Sequence, residues 1–156
     1  MARKQLLDPT DVQLLAHLYA NPNLNNKTLA EAVGLAPSSC HERVKRLYAS
    51  EVIRSSMLQV DHEALGGHIQ AMVAVRLSNH DRDTIAGFQA DLLDTNEVVS
   101  LYHTGGENDF LLHVSVPNAL HLRDFVFDAI TARTEVNHVE TALVYDVQVS
   151  QKLPHY

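Results

Sequence analysis

Apolar residues recur along this chain with two different periods, and the change of period divides it. From Asp8 to Leu47 the spacing is helical: Val12, Leu15, Leu18 and Tyr19 share one side of a first helix, and Leu29, Ala30 and Val33 form the buried side of a short second one. Asp8 before Pro9 is a helix start, because a carboxylate can accept from the first free N–H groups and proline loses nothing at the next position. Asn21-Pro22-Asn23 stops that helix, Asn25 caps the next, and Gly34 suits the left-handed residue that ends it. Pro37 opens a third helix. Its wheel puts Cys40, Val44 and Leu47 on the core side, Ser38, Glu42, Lys45 and Arg46 opposite, and Ser39, His41 and Arg43 on the flanks.

Three helices with a glycine turn between the second and third describe a helix-turn-helix. Val52-Ile53 and the alternation of Met57, Leu58 and Val60 predict short strands after it, so residues 1–60 read as a winged helix-turn-helix. The polar run Asp61-His62-Glu63 followed by Gly66-Gly67 marks a linker over 61–69.

Beyond the linker the period falls to two. Ala71–Leu77, Val98–Thr104, Asp109–Val116 and Val139–Val149 predict strands. Arg82–Leu93, with Ile85, Phe88, Gln89 and Leu92 on one side, predicts a helix between the first two. Pro117-Asn118 opens another, with Leu120, Leu122, Phe125, Val126 and Ile130 as its apolar positions. The order β-α-β-β-α-β over 70–156 is that of a ferredoxin-like domain, an antiparallel sheet with both helices on one face. The fold class is therefore α+β. The sheet's other face needs cover, and in a chain this short a second subunit supplies it, so a homodimer is expected.

Charge sharpens this division. The formal net charge is -7, yet residues 1–60 carry seven Lys/Arg (Arg3, Lys4, Lys27, Arg43, Lys45, Arg46, Arg54) against five acids. The remainder carries five against fourteen. Such asymmetry assigns the first part to a polyanion and the second to another task. The outward face of the third helix is small, polar and mostly cationic, as a major groove requires. Lys45, Arg46 and Ser38 or Ser39 are expected at base edges of double-stranded DNA, with His41 and Glu42 beside them. Arg43, Lys27, Arg54, Arg3 and Lys4 are expected at phosphates. The single cysteine, Cys40, allows no intrachain disulfide and fits a reducing cytoplasm. No apolar run approaches a membrane span, and MARKQLLDPTD has no apolar stretch before its first acid, so neither a membrane partner nor a signal peptide is expected.

The run LDPTDVQLLAHLYANPNLNNKTLAEAVGLAPSSCHERVKRLYASEVI resembles the N-terminal domain of the leucine-responsive/asparagine-operon regulator (Lrp/AsnC) family, and HTGGENDFLLHV resembles the turn between the middle strands of that family's C-terminal RAM domain. The resemblance spans residues 6 to about 150. It implies a bacterial or archaeal, nucleoid-associated transcription factor. It further implies dimers assembling into octamers, and an amino acid or related small metabolite as effector between RAM domains. Matched to the family turn, Gly105, Gly106, Glu107, Asn108 and Asp109 form the effector loop, with Thr104 and Thr141 as nearby polar candidates. Backbone N–H groups of a Gly-Gly turn can hold a carboxylate, and Asp109 or Glu107 an ammonium; the same GGEN is also a good hairpin turn. Two positions depart from the family pattern. Ala36 stands where a capping serine is usual, and Glu51 where a glycine usually ends the third helix; each costs about 1 kcal/mol.

The ten histidines include no i, i+4 pair of the kind that builds a helical zinc site, so no metal, cofactor or catalytic residue is expected. A rival reading is an enzyme, because sirohaem decarboxylases resemble Lrp/AsnC proteins along the whole chain. It would use His103 and His113, which flank the turn on adjacent strands and could share a face. The exposed Ser38, Lys45 and Arg46 stand against it. A third reading, an assembly module whose head no longer binds DNA, requires that Lys45→Ala and Arg46→Ala leave cell physiology unchanged.

Overall fold

A computed structural model describes residues 7–54 and 58–154. Met57 of the predicted wing, the phosphate candidates Arg3 and Lys4, and His155 lie outside the described residues. The chain forms two compact units. One comprises Met1–Gln59 with Gln148–Tyr156, and the other Val60–Val147. The final stretch thus groups with the helices and not with the sheet that precedes it.

In the helical unit, α1 (Pro9–Ala20), α2 (Asn26–Ala32) and α3 (Pro37–Ala49) begin where the caps predict. Asp8 accepts from the Asp11 N–H, and Asp11 accepts in return from the Asp8 N–H, a reciprocal capping box. Asn25 caps α2 through the Thr28 N–H. Gly34 takes a left-handed φ of 68°, and the Leu35 N–H returns to the Ala30 carbonyl, which closes the turn. Asn26 Nδ2 donates to the Pro37 carbonyl at 2.8 Å and ties α2 to the start of α3. Leu14, Leu29, Ala30 and Cys40 are the centre of this core. Burial pushes the Cys40 thiol up, which keeps it protonated and unreactive. The first helix corrects its predicted face: Leu14 and Asp11 are the buried positions, Leu18 packs at the margin, and Tyr19 is exposed.

Ala36 makes no side-chain cap, and Glu51 takes a φ of 56°, as the two departures from the family pattern imply. Past Glu51 the predicted strand at Val52-Ile53 does not form. Both N–H groups donate back to the Leu47 carbonyl at 3.1 Å, so the segment finishes α3 instead of pairing. Leu58–Val60 is likewise not a strand.

In the sheet unit, β1 (Ile69–Leu77), β2 (Val98–His103), β3 (Phe110–Val116) and β4 (Val136–Val144) form one antiparallel sheet in the order β2-β3-β1-β4. The helix α4 (Arg82–Leu93) and α5 (Ala119–Phe125), which continues as a π-helical turn over Val126–Thr131, cover one face. Strict alternation along β1 and β3 sends Ala71, Val73, Val75, Leu77, Phe110, Leu112, Val114 and Val116 into the core with Phe88, Leu92 and Ile130. Leu120, placed by period on the apolar side of α5, is exposed. The fourth strand begins three residues earlier than predicted and ends at Val144, not Val149. Val144 pairs with Gln70, one residue from the start of β1, so no neighbour remains for a longer strand.

The linker packs on the sheet unit. Gly67 sits close against its neighbours there: an added Cβ would lie 2.2 Å from Ser115 Oγ and 3.0 Å from the His62 carbonyl oxygen, so a larger residue requires Ser115 to rotate. His62 meets the His113 ring edge-on at 6.5 Å, and His113 Nε2 lies 2.8 Å from Gln70 Oε1. Burial, then repulsion from His62, holds His113 below its ordinary 6.5. A histidine depressed in the folded state contributes stability above its unfolded value and loses it as pH falls through the lower folded one. Melting temperature should therefore drop as pH is lowered below 6.5, and less so in His113→Gln. A melting temperature with the same pH dependence in both proteins would remove His113 from the explanation.

Candidate DNA-facing helix and effector turn

The third helix carries Ser38, Ser39, His41, Glu42, Lys45 and Arg46 on exposed positions, while Cys40 and Leu47 are buried. Lys27 on α2 and Arg54 beyond α3 are also exposed. Ser38 and Ser39 occupy the first turn behind Pro37, where helix N–H groups lack intrahelical acceptors.

Two of the predicted DNA-contacting cations have carboxylate partners within the helical unit. Arg43 Nη1 lies 2.5 Å from Asp8 Oδ2 and 2.8 Å from Asp11 Oδ1. Arg46 Nη2 lies 2.8 Å from both oxygens of Asp11. Asp11 is only 3% exposed. A carboxylate so far from water needs such donors, and the charge-assisted bonds it accepts are stronger than neutral ones. The hydrogen bond from Arg43 is the main cause that lowers the Asp8 pKa and, reciprocally, Asp8 raises that of Arg43. The four side chains clamp α3 to α1 and set the angle at which the exposed face is presented. Sequence reasoning read Asp8 only as a cap and missed the clamp. Its partners lie 32 to 35 residues apart, and no periodic signal links them.

In the sheet unit the turn candidates come together at the end of the β2–β3 hairpin. Gly106 takes a φ of 140°, which an L side chain rarely adopts. The Thr104 hydroxyl donates to the Asn108 carbonyl at 2.6 Å, and the Thr104 N–H to the Asp109 carbonyl. Asp109 is engaged on every side. Its N–H donates to the Val75 carbonyl, its Oδ2 accepts from the Leu77 N–H at 2.7 Å, and its Oδ1 lies 3.0 Å from His80 Nε2. It fastens the hairpin to β1, which occupies the carboxylate expected to hold an ammonium. Glu107 is exposed and lies 3.7 Å from Arg76 Nη1. Arg76 and His80 were missed because neither lies within the turn's own sequence.

Thr141 stands apart from this group. It pairs with Val73, whose side chain points to the helices, and it lines a cleft of about 390 Å³ with Leu122, Val126 and Phe127 of the α5 segment. A second cleft, of about 440 Å³, lies between α4 and the segment before β4, around Arg133, Asp91 and Asn79. Neither contains the turn.

The shared face required of His103 and His113 is not found. His103 pairs with Phe110, which is buried under the helices, and its ring stacks on Phe110 at 4.8 Å. His113, three residues along β3 from Phe110, has the opposite parity and lies on the helix-free face, opposite Met72. Among the described residues no group of three or more His, Cys, Asp or Glu side chains is arranged to hold a metal ion, and no helix is long and apolar enough to cross a membrane.

Comparison with known proteins agrees with this division. Residues 7–54 match a model described as winged helix-turn-helix DNA-binding, and residues 70–153 one described as the Lrp/AsnC ligand binding domain. The chain is 36% identical over 144 residues to the HTH-type transcriptional regulator AldR of Mycolicibacterium smegmatis, covering 92% of this chain and 84% of that protein. It is 31% identical to the leucine-responsive regulatory protein of Rhizobium meliloti, covering 88% of each. Among solved structures, a transcriptional regulator from Neisseria meningitidis in complex with L-Met aligns with a TM-score of 0.86 at 28% identity, covering 96% of this chain and 97% of that one.

Proposed function

Because the chain belongs to the Lrp/AsnC family of transcriptional regulators, we propose that it binds operator DNA through the exposed face of α3 and that an amino acid held at the Gly105–Asp109 turn modulates this. The observation that carries the DNA reading is the row of exposed polar and cationic side chains on a helix-turn-helix whose inner face is fully packed. Lys45, Ser38, Ser39, His41 and Glu42 reach base edges, and Lys27 and Arg54 reach phosphates. Arg43 and Arg46 act first by holding α3 in place, since their guanidinium groups are already engaged by Asp8 and Asp11. Arg46, with a side chain 43% exposed, retains donors for DNA as well.

The helix-free sheet face supports a homodimer. Met72 and Ala74 of β1 and Leu111 of β3 lie there without helical cover, and a second copy would bury them. Two recognition helices then enter successive major grooves, and assembly towards an octamer adds avidity along the DNA. The domain boundaries that go with this reading are 1–60 for the head, 61–69 for the linker and 70–147 for the effector-binding and assembly domain, the stretch from Gln148 grouping with the head. Its place is the cytoplasm, on the nucleoid. Amino-acid binding is supported by the L-Met complex of the Neisseria meningitidis relative and by the match to the family's ligand binding domain.

The test is fluorescence anisotropy with duplex DNA from upstream of the protein's own gene, across a salt series and with pooled amino acids. Binding should fall steeply with salt. Lys45→Ala should weaken it about tenfold and relax the base preference, whereas Lys27→Ala, at a phosphate, should flatten the salt slope. Equal affinity in wild type and a folded Lys45→Ala protein would remove α3 from the interface.

A further inference from the structure

The helix α3 carries a single acid, Glu42, and it stands at the centre of the outward face. Cys40, Val44 and Leu47 fix the inward direction. At about 100° per residue, Glu42 lies within about 15° of directly opposite, nearer that line than Ser38, Lys45 or Arg46. A helix laid into a major groove puts this line deepest, so a carboxylate, and not a cation, meets the base edges there. Its neighbours do not neutralise it. Arg46, four residues on, is the partner a helix normally offers such a glutamate, but its Nη2 is held 2.8 Å from both oxygens of Asp11. Arg43 is turned to Asp8 and Asp11. Among the described residues no ion pair or side-chain hydrogen bond involves Glu42.

An ionised carboxylate only accepts hydrogen bonds, and DNA phosphates repel it. Most groups on the major-groove floor are acceptors as well: N7 and O6 of guanine, N7 of adenine, O4 of thymine. The donors are the amino groups of cytosine and adenine. The adenine amino group stands beside the N7 acceptor of its own base, which a carboxylate cannot pair; the cytosine amino group has no such neighbour on its base. We propose that Glu42 accepts from the N4 amino group of a cytosine in each half-site and is the residue that fixes the base at that position. This rests on the reading of α3 as the DNA-facing helix and names the base that helix requires. Glu42 thereby acts by exclusion as much as by attraction, since any other base leaves its charge facing an acceptor or a methyl group.

The experiment is selection of sites from a pool of random duplexes by the full chain, as wild type, Glu42→Gln and Glu42→Ala, followed by anisotropy on the selected duplex with its base pairs exchanged one at a time. Wild type should require a cytosine at one position of each half-site and lose at least about tenfold in affinity when that base is exchanged. Glutamine donates as well as accepts and pairs with N6 and N7 of adenine, so Glu42→Gln should turn that one position from cytosine to adenine. Glu42→Ala should take all four bases there with affinities within about threefold, and should bind unselected duplex more tightly, because a charge that phosphates repel is gone. Preferences at the other positions stay as in wild type. Glu42 is exposed, so both variants should melt as wild type, which circular dichroism checks. A wild-type site without a required cytosine, or the same base preference at every position in either variant, overturns the inference and leaves the DNA reading standing. So does a wild type that binds duplex without enriching any sequence. A wild type that binds no duplex removes the DNA reading and this inference with it.

Discussion

Asp11→Ala is expected to lower the stability of the helical unit by about 3 kcal/mol and to abolish operator binding at protein concentrations that saturate wild type, although Asp11 touches no DNA. The side chain is 3% exposed and accepts from Arg43, Arg46 and the Asp8 N–H. Removing it takes away the anchor of α3 on α1, strips Arg46 of its carboxylate and leaves Arg43 held by Asp8 alone. For a unit of this size such a loss is a large part of its total stability. The measurement is a thermal melt by circular dichroism together with DNA anisotropy. A double-mutant cycle of Asp11→Asn with Arg46→Gln should show coupling, because the two share their hydrogen bonds. If Asp11→Ala melts as wild type and binds DNA more tightly, the arginines serve DNA alone and the clamp is incidental. Acid should act in the same direction. The Asp8 pKa is lowered, chiefly by the hydrogen bond from Arg43, so its contribution is complete above the ordinary value of 3.8 and is lost as pH falls through the lower folded value.

Phe110→Ala should cost the sheet unit about 4 kcal/mol. Phe110 is fully buried between the rings of Phe88 and His103, each with its centroid 4.8 Å away. Phe88 is itself held under the Arg133 guanidinium, 5.6 Å above its ring, which limits collapse into the space. Phe110 also follows Asp109 directly, so a collapse there disturbs the carboxylate that fastens the turn to β1. The variant should therefore lose amino-acid binding along with stability. Phe110→Leu, which keeps most of the volume, should cost about 1.5 kcal/mol and retain binding. Denaturant unfolding followed by circular dichroism separates the two; an equal loss in both variants would mean that the aromatic stack, not cavity volume, holds this core.

Much of this architecture is legible in the residues. Asp8, Asn25, Asp81 and Asn118 each accept a hydrogen bond from the first turn of a helix, and sequence reading placed three of these four starts on local chemistry alone. The strands β1 and β3 were legible as strands, and their alternating burial follows from strand geometry once the helices cover one face. The ends of elements were less legible. Val139 to Val149 alternates throughout, yet the strand stops at Val144 because β1, its partner, has run out. Val52-Ile53 has the composition of a strand but finishes a helix, since the left-handed Glu51 turns its N–H groups towards Leu47.

What the sequence determined by itself is what acts over a few residues: caps, periods, the glycine turn between α2 and α3, the basic face of α3 and the acidic bulk behind it. The tertiary structure alone decided which charges are taken. Arg43 and Arg46 look like free cations on a helix wheel and become the clamp on Asp11 only when α1 folds against α3. Strand register alone put His103 and His113 on opposite faces and turned Asp109 inward to Leu77. The physical reason is range. A cap or a period is set by neighbours within a turn or two, whereas a hydrogen bond between residues more than thirty apart depends on the packing of every element between them.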